Sequence, residues 1–341
     1  TNEDKNRVIS SIGNLKTFLS IVYLEQFLGT KELEETTARS IMRVVLPSNN
    51  ENNGFSGEIV RNILVKAEAV LTGEDSQYDK INIKKYLDEM PSDKGFVSMF
   101  NGNNLDGWQG MIGSGNPIAI AKLTEKERAK AQAEADLKML ENWSVKDGMI
   151  VFSGKGHNLV SKKIYKDFEM IVDWLITKEG DSGIYLRGTP QVQIWDTSRV
   201  EVGAQVGSGG LYNNNRDNVR NPLLVADNPV NEWNTFRITM IGSYVTVYLN
   251  GQLVVDNVKM DNYWNRDIPI FESGTIELQA HGNELAFRDI YIREINTTEI
   301  GLSEKEKAEG FESLFNGKNL DGWQGNKTDY YAENGDLVVN T

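Results

Sequence analysis

Polar and aromatic side chains recur at alternate positions in four short apolar segments of the second half of the chain. In 275–279, Ile276 and Leu278 share one side of an extended strand, Glu277 and Gln279 the other, and His281 follows just beyond. In 183–187, Tyr185 and Arg187 oppose Ile184 and Leu186. In 191–195, Gln191, Gln193 and Trp195 oppose Val192 and Ile194, and Asp196 comes next. In 168–175, Glu169 and Asp173 lie across from Phe168, Met170, Val172 and Trp174. A face holding carboxylates, an imidazole, a guanidinium, amides and rings can remove a proton, steady an oxyanion and grip a hydroxylated ligand. Asp196, Asp173, Glu277 and His281 are therefore candidate proton-transfer groups, and Arg187 is a candidate for holding negative charge. Gln191, Gln193, Gln279, Tyr185, Trp195 and Tyr212 are candidate ligand contacts.

Each residue also has a plainer role. A solvated sheet face is polar too, Arg187 could pair with Asp173, Glu169 or Glu277, and Asp196 could cap the turn before Thr197. His157, in the turn Gly154-Lys-Gly-His-Asn158, is a further candidate. The oxygen-rich loop from Tyr212 to Asn218 could take calcium, although asparagine runs also simply make turns. No other cofactor and no catalytic metal is expected.

The strands that would carry these groups begin after Phe96, where aromatic and β-branched residues alternate with polar ones between glycine and asparagine turns. Strands are expected at 149–153, 168–175, 183–187, 191–195, 235–241, 244–249, 275–279 and 286–293. Gly242-Ser243 and Asn250-Gly251 are hairpin turns. This pattern predicts a mainly β sandwich or jelly roll. One helix interrupts it: Thr124 and Glu127 form a capping box ahead of a strongly helix-forming run to Leu140. Residues 1–90 read as helical, with Val8, Ile12, Leu15, Leu19 and Val22 at helical spacing. Ile41, Val44 and Val45 open a second apolar patch, and Ile59, Ile63, Leu64, Ala67 and Leu71 form a third that stops at Gly73. Asn49, Asn50, Asn52, Asn53 and Gly54 mark a loop. The segment is either the end of a helical repeat array or a small cap.

The opening motif repeats. Residues 96–110 return at 311–325 with twelve of fifteen positions identical. The reading is a sandwich at 94–296, a linker at 297–310 and the start of a second sandwich at 311–341. Trp108 and Trp323 are expected as buried anchors of the two openings. The second opening alone is too short to bury a core. Its apolar residues should therefore dock on the rest of the chain, or belong to a longer chain with a complete second domain.

These segments carry a family resemblance. Phe-x-x-x-Phe-Asn-Gly-x-x-Leu-Asp-Gly-Trp at 96–108, Trp143-x-Val-x-Asp-Gly, Tyr165-x-Asp-Phe-Glu and Asp181-Ser-Gly-Ile-x-x-Arg187 resemble the 3-keto-disaccharide hydrolase family. So do Gln193-Ile-Trp-Asp196, Gly210-Leu-Tyr212, Glu232-Trp-Asn234, Leu249-Asn-Gly251 and Ile276-Glu-Leu-Gln279-x-His-Gly. The resemblance implies a concanavalin-like jelly roll acting on glycosides oxidised at C3. A ketone there acidifies the C2 proton, a base removes it, the group on C1 leaves, and water adds. A conventional glycosidase needs two flanking carboxylates, and no strand shows the Glu-x-Asp-x-x-Glu pattern usual in jelly-roll glucanases. A lectin-like binding module and a structural spacer are the rival readings.

A formal charge of −13 argues against a phosphate-binding surface, so nucleic acid is not an expected partner, and a neutral carbohydrate is compatible with it. Without cysteine there are no disulfides, thiolate metal sites or thiol nucleophiles. No apolar run is long enough to span a bilayer. The chain opens at Thr1 rather than methionine, so a removed leader or longer N-terminal region is expected, with a periplasmic or extracellular location. Oligomeric state is not legible.

Overall fold

The computed structural model describes residues 1–48, 54–72, 76–91, 94–215, 219–296, 308–315, 319–325, 329–333 and 336–339. The chain divides into two compact units, Thr1–Val97 and Ser98–Thr341. Among the described residues no helix is long and apolar enough to cross a membrane.

The first unit is helical: α1 (Asn2–Ile12), α2 (Phe18–Glu25), α3 (Glu34–Val45), α4 (Glu58–Val70) and α5 (Ser76–Glu89). The first apolar run does not form one helix. Gly13 ends α1 against α3, where a Cβ would meet the Cβ of Ser40 at 2.8 Å, and the Thr17 hydroxyl accepts from Ser20 N to start α2. The break rotates the buried stripe, so Ile9, Phe18, Ile21 and Leu24 are inside while Val8 and Leu15 are exposed. In the second and third patches Ile41, Val44, Val45, Ile63, Leu64, Ala67 and Leu71 are buried, and Ile59, at the start of α4, is half-buried. The asparagine loop from Asn49 to Asn53, Gly73 and most of the 297–310 linker lie outside the described residues.

The second unit is a sandwich of antiparallel sheets. The larger sheet runs β11 (Gln252–Lys259), β10 (Tyr244–Leu249), β9 (Asn234–Ile241), β6 (Phe168–Ile176), β13 (Glu284–Glu294), β4 (Met149–Ser153) and β3 (Trp143–Lys146). A short β1 (Val97–Ser98) pairs with β13 off this path. The smaller sheet runs β2 (Trp108–Gly110), β5 (Leu159–Tyr165), β12 (Gly274–Leu278), β7 (Asp181–Leu186) and β8 (Thr189–Trp195). Alternation decides the core. Phe168, Met170, Val172, Trp174, Phe236, Ile238, Val245 and Val247 of the larger sheet pack on Ile184, Leu186, Val192, Ile194, Ile276 and Leu278 of the smaller. Trp108 and Trp143 are 1% exposed and donate their indole N–H to Met99 O and His157 O. The fold is thus mainly β, a jelly-roll-like sandwich with a helical N-terminal segment.

Between β2 and β3 the chain leaves the sheets to build α6 (Pro117–Ile120) and α7 (Glu125–Asn142). The Thr124–Glu127 capping box starts α7 as expected. Gly110 receives α7 closely: its N–H donates to Asp136 Oδ1 (2.8 Å), its carbonyl accepts from Gln132 Nε2 (2.9 Å), and a Cβ would lie 2.1 Å from Ala135 O.

The repeated motif at 311–325 reproduces the local bonding of the first. Trp323 Nε1 donates to Leu314 O at 2.9 Å and Ser313 Oγ to Phe315 O, as Trp108 does to Met99 and Ser98 to Phe100. A two-stranded hairpin, β14 (Tyr330–Glu333) and β15 (Asp336–Val339), follows. The expected burial does not occur: Trp323 is 37% exposed, and Phe311 and Leu314 are also exposed, because no second sheet covers them.

Candidate active site

The site is built on the face of the smaller sheet that points away from the core. Register sets Gln109, Val160, Glu277, Tyr185 and Gln191 side by side across β2, β5, β12, β7 and β8. Gly183 and Gln193 form the next pair, with Gln279 N donating to Gly183 O, and Asp181 faces Trp195 beyond them. Parity therefore gathers Glu277, Tyr185, Gln191, Gln193 and Trp195 on one face.

Unlike an ordinary solvated face, this one is covered. Glu277 is 4% exposed, Gln191 4% and Gln193 2%. Residues 111–121 and α7 roof the Glu277 end and leave a cavity of about 330 Å³. Gln109, Met111, Ile112, Pro117 and Ile120 line it on one side, Val160, Lys162, Ile164, Thr275 and Glu277 on the other. Burial pushes the Glu277 carboxyl up to about 7, opposed by hydrogen bonds from Asn158 and Thr275. Asn158 Nδ2 donates to Glu277 Oε2 at 3.1 Å, and its Oδ1 accepts from Ala280 N, which fixes the amide's orientation. Burial, then the neighbouring Glu277 charge, raises the Tyr185 phenol, so it stays a neutral hydroxyl. A smaller cavity of about 230 Å³ adjoins Asn158 and is lined by His157, Lys138 and Glu134.

The other end of the face is an amide and carboxylate chain. Gln191 Nε2 donates to Gln193 Oε1, and Gln193 Nε2 donates to Asp181 Oδ1 at 2.9 Å. Asp181 Oδ2 lies 3.5 Å from Arg199 and 3.6 Å from His281 Nδ1. The carbonyl oxygens of Gln191 and Gln279 are buried without a hydrogen-bond partner, an arrangement that suits donors from a ligand.

Of the remaining sequence candidates, Arg187 borders the Glu277 cavity but directs its guanidinium into the fold, while Asp196, Asp173 and Tyr212 sit elsewhere. β7 stops at Leu186, and Arg187-Gly188 form a two-residue turn with φ of 56° and 69°. Alternation ends there, so the Arg187 guanidinium turns inward to Asp167 (2.6 Å) and the Gly242 carbonyl (2.7 Å). Its partner is none of the three expected carboxylates. Asp196 accepts from the N–H groups of Glu179 and Ser198, both at 2.9 Å, and closes the turn after β8. Asp173 lies on the larger sheet, bonded to Thr235 Oγ1 and Arg288. Tyr212 is exposed, edge-on to Trp195 and under Arg220. Trp195 itself is buried with its indole N–H on Gly207 O.

His157 is exposed. In the loop considered for calcium, the Asn214 amide donates to the Val219 and Lys259 carbonyls and accepts from Asp261 N. Arg216, Asp217 and Asn218 lie outside the described residues, and among the described residues no three His, Cys, Asp or Glu side chains gather to hold a metal. Asn158, Lys162 and Gln109 belong to the site without having been singled out in the sequence. Their signal was the parity of Val160 with Glu277, hidden because the lysines of β5 and a register shift opposite Thr275–Glu277 blur its alternation.

The model of the 3-keto-alpha-glucoside-1,2-lyase-like domain matches residues 95–293. A 3-keto-disaccharide hydrolase of Bacteroides thetaiotaomicron is 25% identical over 107 residues, covering 28% of this chain and 29% of that relative's length. Among solved structures, a candidate glycosyl hydrolase from Parabacteroides distasonis shares 23% identity at a TM-score of 0.45, covering 59% of this chain and 95% of that one. The carbohydrate-binding module CBM66 of Bacillus subtilis shares 14% at a TM-score of 0.31, covering 45% and 91%. With its matched span exceeding half of the sequence, the chain belongs to the 3-keto-alpha-glucoside-1,2-lyase-like family.

Proposed function

We propose that the protein cleaves 3-keto-glycosides by elimination and hydration, with Glu277 as the base. The observation that carries this reading is a buried carboxylate, held near neutrality, at the wall of a cavity on a polar sheet face. A base tuned near the working pH combines a useful fraction of carboxylate with real proton affinity. Glu277 takes the proton from C2, and the C–H electron pair passes into an enolate whose oxygen is on C3. The enolate then expels the group on C1, which leaves as an alcohol once protonated, and a C1–C2 double bond forms. Water adds its oxygen to C1 and its proton to C2, so the net change is hydrolysis.

Lys162 lines the same cavity and supplies a cation for the enolate oxygen. The unpartnered amide oxygens of Gln191 and Gln279 lie at the other end of the same face, where a longer ligand that displaces the cover could meet them. The name of the Bacteroides relative supports the substrate class. A sugar-binding module without chemistry is the second reading, favoured by those same amides, yet it has no use for a carboxylate near neutrality. We place the protein in the periplasm or outside the cell, where such glycosides would be met. Incubation with a 3-keto-disaccharide should release both halves; binding without release would establish the module instead.

A further inference from the structure

The group that departs from C1 is attached to the carbon next to C2. If Glu277 reaches the C2 proton, as proposed above, the departing group must lie in the same cavity. The chemistry of that cavity's walls therefore speaks to what the departing group is.

The walls beyond Glu277 are largely aliphatic, with Gln109, Lys162, Ser273 and Thr275 as polar residues among them. Met111, Ile112, Pro117 and Ile120 come from the segment between β2 and β3, and Val160 and Ile164 from β5. Ile164 is 59% exposed, an isoleucine left unburied beside the site. Among the described residues no tryptophan, tyrosine, phenylalanine or histidine lines the cavity, so a second sugar ring would find no aromatic face to stack on there. Part of the roof's polar capacity is already engaged: Gln132 Nε2 bonds Gly110 O and Asp136, and Arg128 Nη2 bonds Ile120 O. A sugar leaving group would find few partners for its hydroxyls along the aliphatic walls, whereas an apolar one gains from the burial.

The roof is also separable from the sandwich. In the repeated opening motif, hairpin β14–β15 begins at Tyr330, a few residues after Gly325. In the first, residues 111–142 intervene between Gly110 and β3. The segment that brings the apolar wall is thus an addition to the opening of the sheet, attached through Gly110.

We infer that this roof selects 3-keto-glycosides whose leaving group is an apolar alcohol, aryl or branched alkyl, over those whose leaving group is a second sugar. The test compares a 3-keto phenyl glucoside with a 3-keto-disaccharide, each as both anomers, and reads the ratio of their kcat/KM values. The native chain should favour the phenyl glucoside. In Ile120→Ser and in Ile164→Ser the ratio should fall about tenfold, the scale on which an apolar pocket discriminates. Ile164 is on the surface, so its variant reports on the wall even if the Ile120 variant is poorly folded. If both substrates slow in proportion, or the ratio stays fixed, the selectivity inference is overturned and Glu277 keeps its role. If the native chain cleaves neither substrate, the role of Glu277 falls, and the inference built on it falls too.

Discussion

The two sheets each turn a polar face away from the common core, and the two faces are built on opposite rules. On the larger sheet the two acids of β6 are matched: Glu169 bonds Arg237 and Arg293, and Asp173 bonds Thr235 and Arg288. Arg288 lies over Trp233 and Arg237 over Tyr248, so even the cations are packed. On the smaller sheet Glu277 has neutral amide and hydroxyl partners and, among the described residues, forms no ion pair, and two buried glutamine amide oxygens there have no hydrogen-bond partner. Matched charges hold a sheet together. Buried groups left short of partners weaken the fold, and such sites are where ligands find their handles.

The comparison breaks most visibly at Glu277. Glu277→Gln keeps the shape and removes the base, so kcat/KM on a 3-keto-glycoside should fall about a thousandfold. Circular dichroism should be unchanged. The equivalent change on the matched face, Glu169→Gln, should leave kcat/KM within a factor of two.

Stability shows the reverse order. Asp167→Ala strands the Arg187 guanidinium, which is 2% exposed, and should cost about 3–5 kcal/mol in urea unfolding. The folded fraction should retain most of its kcat/KM, because Arg187, although it borders the cavity, directs its guanidinium to Asp167 and the Gly242 carbonyl at the β7–β8 turn.

The pH dependence sharpens the contrast. The Glu277 carboxyl rises from 4.5 to about 7 on folding, so between these values the native state holds a proton that the unfolded chain has released. Stability from this group is therefore full below about pH 4.5 and is lost as pH rises through about 7, by about 3 kcal/mol in all. Urea midpoints at pH 5 and pH 8 should show that loss in the native protein and not in Glu277→Gln. Activity has the opposite sign, rising through about pH 7 as the carboxylate forms. The smallest expected effect is that of Glu169→Gln on stability, at most about 1 kcal/mol, since its arginine partners are half-exposed and screened.

Much of this was legible in the sequence because period-two alternation survives wherever one strand face is apolar. The strands bearing Glu277, Tyr185, Gln191 and Gln193 were found that way, and their shared face followed. Arg187 borders the cavity, but strand parity does not describe its side chain, because parity was carried one residue too far, into a turn that an Arg-Gly pair can form only at positive φ. β11 was missed because its irregular register with β10 disrupts the alternation of Gln252–Lys259. The roof was legible only as a helix. That it covers Glu277, and so turns an exposed polar face into a cavity, depends on long-range docking at Gly110 that no local pattern records. The burial of Asp167 and its pairing with Arg187 are likewise products of tertiary contact.

The central claim is that Glu277 removes the C2 proton before the glycosidic bond breaks. The direct measurement is cleavage of a 3-keto-glycoside in deuterium oxide, with the product examined early in the reaction against an enzyme-free control. Elimination and hydration predict deuterium at C2 of the released keto sugar, appearing at the rate of cleavage and lost together with cleavage in Glu277→Gln. Product that retains hydrogen at C2, or a Glu277→Gln variant that cleaves as fast as the native chain, would contradict the account.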